Sequence, residues 1–314
     1  MINIKAYNKE FKQIWNEFNK NSKNSIFMFD RNYMDYHSDR FIDNSLMFYD
    51  DNKLIALLPM NIKDNVLYSH GGLTYGGFIT NNDMKQHIML ECFDELIKYA
   101  KRKEIKEIIY KTIPYIYHKQ ASEEDIYALF VNNAKLITVD ASTYLNLNNP
   151  LKMPKGRKAQ ISRAKRENVE IKELYELTDY TEFIELENAV LKEKHNTKAV
   201  HTGEELYLLH DNFKSKIHLI GAFKENKLIA GLVIYEYDQA IHIQYMATND
   251  IARDIGALDL LIEQVIKKYE KEKEWLDFGI STEHNRIYLN EGLIHQKEGF
   301  GGRTGVYKIW SIKI

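Results

Sequence analysis

Asn52-Lys53-Leu54-Ile55-Ala56 and Asn226-Lys227-Leu228-Ile229-Ala230 are the same five residues, 174 positions apart in a chain of 314. At the same offset Asp64 matches Asp238 and Thr74 matches Thr248. Each copy follows an aromatic strand end (Phe48-Tyr49, Phe223) and a polar turn. Working outward, both surroundings read alike. In the first half, 46–49, 54–60 and 66–69 read as a strand meander. Met89, Cys92, Phe93, Leu96, Ile97 and Ala100 then fall at helical spacing, and 105–111 closes the unit as a strand. In the second half the meander is 217–223, 228–237 and 240–247. The helical stripe is Leu258, Leu261, Ile262, Val265, Ile266 and Tyr269, and the following strand is 275–279. The reading is a duplicated α/β (α+β) unit, each copy a mixed, mostly antiparallel sheet flanked by helices. The alternative is one larger α/β domain with two similar hairpins. Asn148-Asn149-Pro150 and Pro154-Lys155-Gly156 form the strongest break in the chain, which predicts domains 1–150 and 151–314.

Composition narrows the partners. Hydrophobic residues are 44% and charged residues 28%, the balance of a globular protein. With 43 basic and 45 acidic side chains the net charge is -2, so no global field draws the chain to DNA or an anionic surface. The lone Cys92 cannot form an intrachain disulfide and sits in a helical apolar pattern, as core filler. No apolar run approaches the roughly 20 residues that span a bilayer. The first residues lack the apolar core of a secretory leader, so a cytoplasmic enzyme without a membrane span is expected. There is no Gly-x-Ser-x-Gly elbow, no Walker loop, and no paired Cys or His-Glu-x-x-His spacing, so no metal is expected.

The chemistry is expected where a helix opens beside a central strand, because its first N–H groups and dipole favour a diphosphate. That segment runs from Tyr245 to Leu258. Gly256 and Ala257 are small enough for close backbone approach. Arg253 can add a charge-assisted contact, and Ala247, Thr248 and Ile255 supply the surrounding backbone.

Here the sequence resembles the GNAT superfamily, whose diphosphate loop reads Gln or Arg, two residues, Gly, one residue, Gly or Ala. Arg253 and Gly256 match, while Leu258 stands where the last small residue would be and Asp254 adds an acidic group. The strand with Asp277-Phe278-Gly279, a helix expected over 285–298, and Gly299-Phe300 resemble the second domain of Fem-type (FemAB-like) aminoacyl ligases and their acetyltransferase-like relatives. These are tandem GNAT proteins. The basic stretch at 152–166 resembles the segment that opens their second domain, although the long helical arm of the ligases has no counterpart here. The resemblance implies acetyl-CoA (acyl-CoA) as co-substrate, with Asn285 against its pantetheine arm. It also implies an acceptor cleft under His195 and His201, near Tyr245.

Seven basic residues and no acidic one lie in 152–166. Among them Arg157, Lys158 and Arg163 read as a phosphate clamp for a nucleotide- or lipid-linked acceptor or for RNA, or as a solvated helix face. His242, Gln244 and Met246 alternate onto one face of a strand, with Ile241, Ile243 and Tyr245 on the other. His242 is a candidate base for an attacking amine, or a polar residue on a half-exposed sheet. Asp277 sits mid-strand, where a carboxylate is costly unless paired; it reads as base, acceptor ligand or turn cap. Glu283 crowds the end of the same strand. Tyr288 could protonate a departing thiolate, or simply pack. The loop 69–78 carries four glycines and suggests close approach of a ligand, with Tyr75 stacking on a sugar.

Three functions follow. The first is transfer of an acyl group, most simply acetyl, from acyl-CoA to an amine of a sugar or cell-envelope precursor. Backbone N–H groups near 241–247 would polarise the carbonyl. The second is aminoacyl-tRNA-dependent addition of an amino acid to a peptidoglycan precursor. The third is a non-catalytic binding protein for an anionic sugar.

Overall fold

The computed structural model describes residues 1–195, 197–283 and 286–314, and all their side chains except those of His37, Lys194 and His195. The chain forms two compact units, Met1–Asp140 with Val306–Ile314, and Ala141–Gly305. The division falls earlier than the Pro150 break predicts. It lies inside one long strand whose later residues pair within the second unit, and the Asn-Pro signal marks only the turn beyond it.

In the first unit, β1 (Ile2–Ala6), the helix α1 (Lys12–Asn21), β2 (Leu46–Asp50), β3 (Lys53–Leu58), β4 (Val66–Tyr68) and β5 (Ile79–Thr80) come first. Then follow α2 (Gln86–Arg102), β6 (Glu107–Lys111) and α3 (Glu124–Val131). Strands β1, β2, β3 and β5 form one antiparallel sheet in that order. The expected meander therefore stops after its second strand. Strand β4 lies outside that sheet, pairing antiparallel with Asn61–Lys63 and parallel with β6. The buried stripe of α2 is Met89, Cys92, Phe93, Leu96 and Ala100, as its spacing predicts. Burial pushes the Cys92 thiol up to about 12, which leaves it an inert core group.

The second unit begins in β7 (Lys135–Asn146). It continues through α4 (Lys155–Arg166), β8 (Glu170–Leu174), α5 (Leu177–His195), α6 (Gly203–Asn212), β9 (Ile217–Lys224), β10 (Lys227–Glu236) and β11 (Ala240–Thr248). Next come α7 (Asp250–Ile255), α8 (Ala257–Tyr269), β12 (Trp275–Ile280) and α9 (Glu291–Glu298). Here the meander is complete: β8, β9, β10 and β11 pair antiparallel in succession, and β12 adds to β11 in parallel. The stripe of α8 is buried throughout and packs on Leu232, Ile234, Ile241 and Ile243. Helix α9 starts at 291, not 285. Asn290 caps it by accepting the Leu293 N–H at 2.9 Å, an Asx cap being a strong start signal. Ile287 and Leu289, apolar residues inside the helix expected over 285–298, are 90% and 40% exposed.

The last strand, β13 (Arg303–Lys313), was expected to finish the second domain. Its end belongs to the first unit, where Ile309 to Lys313 pair antiparallel with Lys111 to Glu107 of β6.

The two copies of Asn-Lys-Leu-Ile-Ala close the same hairpin. Asp50 faces Lys53, as Lys224 faces Lys227. Each ladder then shifts register so that one residue is extra, Ile55 in the first and Ile229 in the second. A bulge at the equivalent residue of both halves is a backbone counterpart of the five-residue identity.

Candidate active site

Strands β11 and β12 pair in parallel only from Ala240–Trp275 to His242–Asp277. Both continue, β11 to Thr248 and β12 to Ile280, so they part beyond that rung. At the point of parting His242 is 4% exposed and Asp277 is fully buried. His242 Nδ1 lies 3.3 Å from Asp277 Oδ2. The other carboxylate oxygen accepts the Ser142 hydroxyl at 2.7 Å and the Gly279 N–H at 2.8 Å. These donors offset the cost of burying the carboxylate. Gly279 is left-handed (φ +74°), and a Cβ there would stand 3.4 Å from His242 Cε1, so the backbone runs close beside the imidazole.

Lys297 of α9 completes the surroundings. It is 3% exposed, and its ammonium donates to the carbonyls of Gly279 and Ile280 at 2.9 and 2.7 Å. Burial brings its pKa down to about 8, while the Asp277 charge opposes the fall. The sequence reading missed Ser142 and Lys297. The signal for Lys297 was a lysine three residues after the buried Ile294, at an apolar helical position. Ser142 left no comparable mark.

The alternation read along 241–247 is broken by a bulge. Ile243 faces Ile234 but Tyr245 faces Val233, which leaves Gln244 extra. Beyond it Met246 packs with Ile241 and Ile243 on the α8 side. Tyr245, not Gln244, therefore shares the face of His242. Tyr245 is hydrogen-bonded to His201 Nδ1, with the rings edge-on at 5.8 Å. The sequence placed both near an acceptor; the structure joins them. Thr202 and Glu205 form a capping box that starts α6 directly after His201.

Helix α5 lies over the same face of the sheet, with Phe183 where a Cβ on Gly231 would intrude at 2.6 Å. One turn on, Glu187 is 8% exposed and its Oε2 has no hydrogen-bond partner. Burial raises its carboxyl to about 7. The next residue, Asn188, accepts the Ala199 N–H at 2.8 Å. This ties the chain leading to His201 against α5. Glu187 too was missed, although a carboxylate in the stripe Tyr180, Phe183, Ile184 was visible.

The expected diphosphate grip is differently engaged. Gly256 is left-handed and joins α7 to α8 (φ +77°). A Cβ on it would meet the Gln160 carbonyl of α4 at 2.7 Å. The close approach that its size permits is made by the protein itself. The first turn of α8, Ala257 to Leu260, is buried. It carries Asp259 in an ion pair with Arg157. Arg253 donates to the Thr248 carbonyl at 2.8 Å and pairs with Asp250. Ala247 and Ile255 are core residues.

Of the proposed clamp, Lys158 and Arg163 are exposed on α4. Arg157 is instead a staple: besides Asp259 it bonds the Gln296 carbonyl at 3.0 Å and lies over the Phe300 ring. Tyr75 is 1% exposed, bonded to Tyr117 and Tyr307 at 2.7 and 3.0 Å, so its ring is not presented to a sugar. The glycines around it serve local packing, since a Cβ on Gly76 would overlap the Ser69 carbonyl. Glu283 and Tyr288 face each other on a separate two-stranded ribbon, and Asn290 donates to Glu283 at 2.7 Å. Asn285 and the His195 side chain lie outside the described residues. Among the described residues no cluster of His, Cys, Asp and Glu stands ready for a metal, and no helix is long and apolar enough to cross a membrane.

No protein-family model and no curated protein matches the chain. Solved structures do. FemX superposes with a TM-score of 0.70 over 99% of this chain and 97% of its own, at 9% identity. L-PGS from Bacillus licheniformis gives 0.60 over 86% and 84%, at 15% identity. A tandem GNAT protein from the clavulanic acid biosynthesis pathway gives 0.52 over 100% and 98%, at 8% identity. The class is thus defined at the level of architecture alone, a GNAT-like fold. The particular form is the tandem GNAT, Fem-like fold.

Proposed function

We propose that this chain is an acyltransferase that joins an activated acyl group to an amine of a sugar or cell-envelope precursor, where β11 and β12 part. The observation that carries the reading is the buried His242–Asp277 pair on the last rung of the ladder. The amine nitrogen attacks the donor carbonyl and must lose a proton as the bond forms. His242 accepts it, and Asp277 beside Nδ1 steadies the imidazolium. The tetrahedral oxyanion forms against N–H groups of β11 beyond the rung, and its collapse expels the donor's alcohol or thiol with a proton returned from His242. Lys297 holds the Gly279–Ile280 turn in place.

For the donor, the buried first turn of α8, with Asp259 in it, favours an aminoacyl-tRNA over acyl-CoA. This reverses the order expected from the sequence. Acyl-CoA stays as second reading, supported by the left-handed Gly256 at the start of α8, and requires its diphosphate to displace Arg253 from Thr248.

The test is product formation by mass spectrometry from a panel of amino-sugar and peptidoglycan-precursor acceptors. Acetyl-CoA and charged tRNA would serve as donors in parallel. His242→Gln should lower turnover on the order of a hundredfold or more. Turnover equal to the wild type would remove the His242 pair as reaction centre. Micromolar calorimetric binding of acetyl-CoA, lost on Arg253→Glu, would reinstate the thioester donor.

A further inference from the structure

On the α8 side of the second unit's sheet, opposite the face of His242, a cavity of about 340 Å3 opens between α4, α8 and the segment 145–153. This lies within the range of small-molecule sites, roughly 300–1,000 Å3. Its floor is Leu145, Ile161, Ile266 and Phe300, all more than nine-tenths buried, and Leu151 and Met153 form one wall. The hollow is braced. Phe300 stacks on Phe278 at 5.7 Å, and the Arg157 guanidinium lies over the Phe300 ring, 4.5 Å from its centroid. Gly301 (φ +97°) lets the Leu151 carbonyl approach to where a Cβ would stand 2.4 Å away, which pins the wall. Apolar surface held open in this way is costly unless something fills it.

The mouth is charged. Lys158, Lys165 and Lys267 stand there with Glu263 and Glu270. Lys165 and Lys267 share Glu263, at 3.1 and 2.8 Å. Lys152, Lys155, Arg163 and Arg166 add exposed positive charge nearby, with no acidic residue in 152–166. An apolar floor under a basic rim matches one ligand chemistry. We propose that this cavity binds an amphiphile with a single apolar chain and an anionic head, the chain on Leu145, Ile161, Ile266 and Phe300 and the head among the three lysines. Nucleic acid would engage the lysines but leave the apolar floor in water, so the cavity favours the amphiphile. The proposal is independent of the reaction assigned above.

Calorimetric titration of the full chain with octyl, decyl and dodecyl phosphate, below micelle-forming concentrations, tests it. Affinity should rise about fourfold per added methylene while the chain fills the floor. Ile161→Trp, which fills the cavity, should weaken dodecyl phosphate at least tenfold. Leu151→Glu, at a half-exposed position, should do the same without touching the core, should Ile161→Trp fail to fold. Lys158→Glu with Lys267→Glu should weaken dodecyl phosphate while sparing dodecanol. Retention by phosphatidylglycerol vesicles but not phosphatidylcholine vesicles, lost in the same variants, assigns the ligand to a lipid surface. Binding of dodecyl phosphate or dodecanoate with no vesicle retention assigns a free amphiphile. Absence of chain-length dependence overturns the proposal, as does inorganic phosphate or tRNA competing equally in wild type and Leu151→Glu.

Discussion

At the scale of single residues, the two ionisable groups judged costly or useful in the sequence, Asp277 and His242, are neighbours in space. The sequence could show that a carboxylate in mid-strand needs a partner. It could not show which, because β11 and β12 meet only after α8 has returned the chain. Asp277→Asn keeps the shape but removes the charge facing His242 and Lys297. It should slow turnover ten- to a hundredfold with donor affinity unchanged, read by single-turnover kinetics. Glu187 makes a separate prediction. Its carboxyl is raised from 4.5 to about 7 by burial. The folded state therefore holds the proton more tightly, and the associated stability is complete below pH 4.5 and lost as pH rises through 7. Glu187→Gln should be near neutral at pH 4.5 and stabilising by up to about 3 kcal/mol at pH 8, measured by denaturant unfolding at both. A difference independent of pH would show that the carboxyl is solvated.

At the scale of elements, periodicity served the helices better than the strands. The stripes of α2 and α8 were readable because an apolar face repeats every three to four residues. The bulge at Gln244 was not, since one inserted residue exchanges the two faces of a strand without altering composition. Tyr245 was placed on the wrong side of β11 for that reason. The start of α9 was misjudged because Ile287 and Leu289 look like a helical face, while the Asn290 cap decides where the helix begins. The hairpin between β9 and β10 turns through Glu225 and Asn226, both left-handed (φ 51° and 61°). Such turns favour Asn over Glu, so Glu225→Asn should stabilise by roughly 0.5–1 kcal/mol. Gly256→Ala should cost about 1–3 kcal/mol, from the strained φ and the clash with Gln160, without changing secondary structure by circular dichroism. A neutral Gly256→Ala would mean that α4 is free to retreat, and that the mouth of α8 can open to a diphosphate.

At the scale of the whole molecule, the repeat of five residues led to the tandem architecture, and the bulges at Ile55 and Ile229 give it a structural basis. What the sequence concealed is the return of Val306–Ile314 to the first unit. Strand pairing over such separations leaves no local trace, because an alternating strand reads the same whichever sheet receives it. A chain ending at Gly305 should keep amide protection in β9, β10 and β11 and lose it in β6, as read by hydrogen exchange. Retained protection in β6 would count against the assignment. The arrangement also has a bearing on biosynthesis. A ribosome releases all of the second unit before it releases the strand that flanks β6, so the usual order in which the N-terminal body matures first is unavailable. The later half is free to fold at once. The earlier half must wait with Glu107–Lys111 uncovered along one edge, and this is where a nascent-chain chaperone would find its hold.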